Sequence, residues 1–158
     1  MAACVIAADW DSPSAQGEYT HRDGPAAEYQ PGEFYRRELP LLLSVLGMLP
    51  RKPDAIVIDG YVWLGVDDRK GLGAHLFDAL GQTIPVVGIA KTKFDGASYW
   101  AAELRRGSGD SPLYITAAGL PMPDAAAAVR RMHGDHRIPT LVGQADKLAR
   151  AALKTVGK

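Results

Sequence analysis

The sequence predicts an α/β fold in a single domain spanning residues 1–158. The length fits one hydrophobic core, since domains commonly close at about 100–200 residues. Two apolar runs at 55–58 and 85–90 enclose a helical pattern at 72–80. Strand, helix and strand within about thirty-five residues are typical of a parallel crossover unit, which places the chain in the α/β class.

The amino-terminal third begins with an apolar run at 4–8, which predicts a buried strand. The stretch 12–28 is rich in Ser, Gly, Pro and charge and predicts a loop, with one exposed strand at 19–22. Residues 33–47 carry apolar side chains at spacings of three, four and seven, as a one-sided helix does. Pro40 lies inside this pattern and predicts a kink or a delayed helix start.

The remaining patterns alternate in the same way. Residues 99–106 and 113–116 predict two extended segments, because the glycine-rich sequence at 107–110 favours a turn between them. A helix is expected from about residue 124 and a last helix at about 143–155.

Composition excludes several classes of protein. Eighteen basic residues balance eighteen acidic ones, so any surface that binds a polyanion must be local. The single cysteine, Cys4, has no internal partner and favours a reducing compartment and a buried packing role. No apolar run approaches the roughly 20 residues that cross a bilayer. These features predict a cytoplasmic protein without a membrane partner.

Acidic residues follow two of the apolar runs. Asp9 and Asp11 end the first run and Asp59 ends another, while Glu38 lies on the helix between them. Ligands of open α/β sheets bind beyond the carboxyl ends of the strands, and carboxylates are ligands that Mg²⁺ prefers. A metal site is one interpretation; helix caps and turn residues are the structural alternative for each acid.

Several motifs, in order from about residue 29 to residue 150, resemble those of the endonuclease V family. Residues 29–42 are similar to its Y-x-P-G segment followed by R-E, an apolar-Pro pair and leucines. Asp59-Gly60 resembles the start of its D-G-x-G stretch. Further similar segments are Gly73–Leu76, Ile84–Lys91, Pro112–Thr116, Arg137–Pro139 and Ala145-Asp146.

The resemblance implies an RNase H-like mixed sheet flanked by helices. It also implies hydrolysis of the second phosphodiester bond on the 3′ side of deoxyinosine or inosine, dependent on Mg²⁺, with Mn²⁺ as a possible substitute. The expected partner is inosine-containing nucleic acid, DNA ahead of RNA, in DNA repair. The implied metal ligands are Glu38 and Asp59, joined by Asp9 or Asp11 if the family's first strand is retained. Lys91 is the implied catalytic cation near the scissile phosphate. The implied nucleic-acid contacts are Tyr29 and Pro31 of a base-prying wedge, Gly32, Arg36 and Gly60.

Structural alternatives stand beside these roles. Lys91 could extend from a strand end into solvent, Tyr29 could cover the apolar core, and His75 is expected to be packed or hydrogen-bonded in the core rather than catalytic.

The family pattern breaks at the amino terminus. Only a short segment separates Asp9 from Tyr29, so two registers are open. In one, residues 2–10 replace the family's second strand and its first strand is missing. In the other, Asp9 ends a retained central first strand. Omitting a central strand would expose backbone hydrogen-bonding groups.

Other departures weaken the case for activity. Val62 replaces a family glycine, Leu120 a histidine, and Thr140 and Gly143 a glutamate and an arginine. Two further hypotheses are therefore a nucleic-acid-binding protein without hydrolysis and a small-molecule α/β protein. The latter would gain if no basic groove formed around Lys91, Arg69 and Arg36. Oligomeric state is open.

Overall fold

A computed structural model describes residues 1–22, 33–97 and 100–154. They fall into two compact units. One comprises residues 1–52, 132–134 and 138–158, and the other residues 53–131 and 135–137. The predicted assignment of residues 1–158 to one domain stays a prediction. Within the described ranges, no helix is both long and apolar enough to cross a membrane.

The first unit is a hairpin with two helices. Strands β1 (Ala2–Ile6) and β2 (Gly17–His21) pair antiparallel, and helices α1 (Phe34–Gly47) and α4 (Thr140–Lys154) contact both strands. Pro40 lies inside α1, so the proline does not delay the helix start. Helix α4 begins at Thr140 rather than near Gly143.

The second unit contains a mixed four-stranded sheet. Its strands are β3 (Ile56–Asp59), β4 (Val86–Ala90), β5 (Ala102–Leu104) and β6 (Leu113–Ala118), in the order β3-β4-β6-β5. Strands β3 and β4 are parallel, while β6 pairs antiparallel with both β4 and β5. The predicted parallel crossover and the predicted turn between two extended segments, now β5 and β6, are both confirmed.

Helices α2 (Leu72–Ala79) and α3 (Met122–Arg131) pack on this sheet. Helix α2 contacts β4 and β6, and α3 contacts β5 and β6. All five residues of β4 are buried, which explains its uninterrupted apolar sequence. The mixed sheet with flanking helices confirms the predicted α/β class.

The structure distinguishes between the two amino-terminal registers. Among the described strands, β1 pairs with β2 and belongs to a two-stranded sheet. It is therefore not the central strand of the sheet that contains β3 and Asp59. Most of β1 is half-buried, whereas a fully buried strand was expected. This pairing favours the register in which residues 2–10 replace the family's second strand.

Candidate active site

Two of the predicted catalytic residues form an ion pair within the second unit. Asp59 is the last residue of β3, and Lys91 directly follows β4. The Lys91 Nζ donates a hydrogen bond of 2.8 Å to Asp59 Oδ2. Because β3 and β4 are parallel neighbours, their carboxyl ends meet at one sheet edge and bring these residues together.

This ion pair is open to solvent. The side chain of Lys91 is 32 % exposed and that of Asp59 is 52 % exposed. Exposed ion pairs contribute about 0–1 kcal/mol to stability, because water competes for both charges. Because the pair is this weak, it can open when ligands bind. Lys91 can then bind a phosphate, and Asp59 can bind a cation.

The loop after Asp59 is pressed against β4 by backbone contacts. Gly60 has a φ of +143°, which L side chains rarely adopt, and its N–H donates to Ile89 O at 3.0 Å. A Cβ on Gly88 would lie 2.4 Å from Gly60 O. The buried N–H of Val62 donates to Thr116 Oγ1 at 2.8 Å. The close packing at Gly88 and this buried hydrogen bond therefore fix the backbone position of the loop that follows Asp59.

Tyr61 links this loop to the chain that follows Lys91. Its hydroxyl donates to Thr92 O at 2.8 Å and accepts a 3.1 Å hydrogen bond from the N–H of Phe94. Burial is the main cause that raises the pKa of the Tyr61 hydroxyl above its ordinary value. The two hydrogen bonds of this hydroxyl hold the segments after β3 and β4 to each other.

Arg137 is a site-shaping residue whose role was not predicted. Its Nη2 donates to the carbonyl oxygens of Lys91 and Pro112, the latter at 2.8 Å. The sequence motif at Arg137–Pro139 pointed to this position but not to its contacts. The close approach at Gly88 could have been predicted, since a glycine inside a strand often marks a place where another backbone segment comes close.

Comparisons with known proteins decide the family. The Endonuclease V family model matches residues 1–108, more than half of the chain. The chain belongs to the endonuclease V family. An endonuclease V of Streptomyces avermitilis is 32 % identical over 145 residues, covering 80 % of this chain and 62 % of that protein. An endonuclease V of Streptomyces coelicolor is 28 % identical, covering 98 % of this chain and 73 % of the relative.

Solved endonuclease V structures share the fold. The crystal structure of the Streptomyces avermitilis protein matches with a TM-score of 0.72 and 31 % identity, over 83 % of this chain and 64 % of that chain. A Ciona intestinalis endonuclease V matches with a TM-score of 0.77 at 18 % identity, over 92 % and 77 %. The RNase H-like fold is confirmed. The chain nevertheless spans only 62–77 % of the length of these relatives.

The other proposed metal ligands of the endonuclease V motif lie in the first unit. Asp9 is exposed in a turn after β1, where its N–H donates to Ser12 Oγ at 2.9 Å. Glu38 is half-buried on α1. All three carboxylates are hard oxygen donors suited to Mg²⁺. The described part of the chain contains no group of three His, Cys, Asp or Glu side chains that could hold a metal. The set of Asp9, Glu38 and Asp59 draws on both units and stays a prediction.

Arg36 is a predicted nucleic-acid contact on the described part of α1. It is exposed on α1, pairs with Glu33 at 3.0 Å and lies 5.9 Å from the centre of the Tyr35 ring. Its role in binding nucleic acid stays a prediction. Tyr29, Pro31 and Gly32 lie outside the described residues.

His75 of the later endonuclease V motif is half-buried on α2. Burial is the main cause that lowers its pKa, and the charge of Lys70 adds to the effect. Its half-burial agrees with the expected packing role of this histidine.

Proposed function

We propose that this chain hydrolyses a phosphodiester bond on the 3′ side of deoxyinosine, or of inosine, in nucleic acid, and acts in DNA repair. The observation that carries the proposal is the solvent-open pair of Lys91 and Asp59 at the carboxyl ends of adjacent parallel strands. Membership of the endonuclease V family supports it. So do Ciona intestinalis relatives solved with DNA containing an inosine followed by a ribo-adenosine.

Each residue of the pair has a separate role in this proposal. Lys91 holds the scissile phosphate and offsets the negative charge that develops during cleavage. Asp59 holds Mg²⁺, or Mn²⁺ in its place, with Glu38 and Asp9 as proposed further ligands. When bound, such an ion supplies charge stabilisation and an oriented water. Tyr29, Pro31, Gly32, Arg36 and Gly60 are proposed to contact the nucleic acid.

The second candidate function is binding of inosine-containing nucleic acid without hydrolysis. One observation favours it: among the described strands, β1, which precedes Asp9, pairs with β2 and not with the sheet that contains β3 and Asp59. A site with fewer carboxylates would bind the cation less well, while basic residues such as Lys91 would still contact phosphate. Salt-dependent binding without cleavage is the signature of this alternative.

The experiment compares cleavage of labelled duplexes carrying either deoxyinosine or deoxyadenosine at one position. Reactions contain Mg²⁺, Mn²⁺ or a chelator, and a parallel RNA strand carries inosine. The test variants are Asp59→Asn and Lys91→Met. Asp54→Asn is the matched control, because Asp54 is an exposed carboxylate just before β3, at the opposite end of that strand.

We expect one metal-dependent product from the deoxyinosine duplex. Asp59→Asn and Lys91→Met should each lower the rate by about 100-fold or more, the effect of removing a group that stabilises developing charge. Asp54→Asn should stay within about twofold of the unmodified protein, since a remote exposed charge acts only through screened electrostatics. Asp59→Asn should change the free energy of unfolding by less than about 1 kcal/mol. No cleavage of any substrate, with binding retained, would establish the second candidate function instead.

A further inference from the structure

The main chain of Lys91 lies beyond the hydrogen-bonded ladder of the sheet. The last paired residue of β4 is Ala90, opposite Tyr114, and the pairing with β3 ends at Ile89 opposite Asp59. The long side chain of a lysine is also flexible. Contacts outside the sheet therefore hold this part of the backbone. Tyr61 holds Thr92 O, and a second connection reaches Lys91 itself.

Arg137 makes that connection. One nitrogen of its guanidinium, Nη2, donates to Lys91 O and to Pro112 O, which joins the end of β4 to the residue before β6. Its Nε is buried without a hydrogen-bond partner among the described atoms. A buried N–H without an acceptor costs stability, so stability alone is a poor explanation for an arginine here.

A second arginine holds the segment that carries Arg137. The buried Arg106 donates from Nη1 to His136 O at 2.9 Å and to Arg137 O at 3.4 Å. Gly107, with a φ of +73°, lets the backbone pass close by, since a Cβ there would lie 2.9 Å from Arg137 N. The backbone of residues 136 and 137 is thus held by Arg106, while the side chain of Arg137 contacts Lys91.

We infer that Arg137 is a positioning residue that places the Lys91 ammonium through the Lys91 main-chain carbonyl, with Arg106 as its anchor. The inference deepens the proposed function and rests on it for the role of Lys91. It assigns to Arg137 no contact with substrate. Its effect on catalysis passes through Lys91 alone.

A double-mutant cycle separates positioning from a merely structural role. Arg137→Met removes the donors, and Arg137→Lys keeps the charge on a side chain that is one bond shorter. The matched control is Arg131→Met, since Arg131 is an exposed arginine at the end of α3. Each change is made in the natural chain and in Lys91→Met, and kcat, KM and thermal unfolding are measured.

Arg137→Met should lower kcat by roughly tenfold in the natural chain, because small misplacements of catalytic groups are costly. KM should change little, and the loss of kcat should vanish in the Lys91→Met background. Arg137→Lys should show a smaller loss in the same pattern. The effect on thermal unfolding should be equal in both backgrounds. A kcat loss that persists without the Lys91 ammonium would overturn the inference.

Amine labelling of the full chain tests the inference without any catalytic activity. The labelling rate of Lys91, read by mass spectrometry, should rise about two- to fivefold in Arg137→Met, the range set by losing an exposed ion pair. Asp59→Asn sets the upper limit of the Lys91 labelling rate, and Arg131→Met should leave that rate unchanged. If Lys91 labelling in folded Arg137→Met and Arg137→Lys equals that of the control, Arg137 does not position Lys91. If labelling rises but no substrate is cleaved, the proposed function fails and the contact itself stands.

Discussion

Replacing Gly88 with alanine should destabilise the second unit strongly. The new methyl group clashes with main-chain atoms, which cannot avoid it by a change of rotamer. Its Cβ would lie 2.4 Å from Gly60 O, 2.8 Å from Thr116 Oγ1 and 3.1 Å from Val62 N. Ordinary carbon contacts lie at about 3.5–4.0 Å, so the loop must move by about 1 Å. That movement also separates Val62 N from Thr116 Oγ1, now 2.8 Å apart and buried.

Two effects set the size of the loss. Overpacking in a closed core costs about 1–3 kcal/mol, and a buried N–H left unpaired costs about 1–3 kcal/mol. Gly88→Ala should therefore lower the free energy of unfolding by about 2–6 kcal/mol, a large share of the 5–15 kcal/mol typical of a domain. Cleavage should also fall, because the displaced loop begins at Asp59.

Urea denaturation followed by tryptophan fluorescence measures this loss. The indole of Trp63 donates to Ala117 O at 2.9 Å within the same unit and reports on its unfolding. Gly109→Ala is the matched control, since nothing lies within 4 Å of a Cβ at Gly109. The control should stay within about 0.5 kcal/mol of the natural chain. A Gly88→Ala protein as stable as the control would refute this account of the loop.

Thr116→Val should lower the free energy of unfolding by about 1–3 kcal/mol, because it leaves the buried N–H of Val62 without an acceptor. Thr116→Ser keeps the hydroxyl and should lower that free energy less. Equal losses in the two variants, measured by urea denaturation, would contradict this. The pKa of His75 is lowered from 6.5 in the folded chain, so the unfolded chain binds the proton more tightly. Stability linked to His75 should be complete above about pH 6.5 and should fall as the pH drops through the folded pKa. His75→Gln should flatten this part of the stability profile, and an unchanged slope would exclude His75 as its source.

Most elements of the fold could be predicted because their signals are local. The buried strands β3 and β4 have short apolar runs bounded by Pro, Gly and charge, and these limits match the observed ends within about two residues. Helix α4 was predicted to begin late, because Gly143 resembled a boundary while Thr140 is the true first residue. Glycine inside a helix costs about 1 kcal/mol, which packing of an amphipathic helix readily offsets.

The candidate site was predictable only in part. Asp59 and Lys91 were found because each stands at the carboxyl end of a predicted strand and each lies in a motif that resembles the endonuclease V family. Their direct contact follows from the parallel pairing of β3 with β4, which the crossover pattern already indicated. The role of Arg137 was not predictable, since its acceptors are main-chain oxygens of Lys91 and Pro112, far away in the sequence.

Sequence alone determined the α/β class, the order of most elements, the family resemblance and the acidic residue at the end of β3, because periodicity and motif spacing act over a few residues. Tertiary structure alone decided that β1 pairs with β2 rather than with the larger sheet. It also decided that Gly88 must lack a side chain and that Arg137 secures Lys91. Those features depend on strand pairing and on close contacts between distant segments, which a local pattern of residues does not encode.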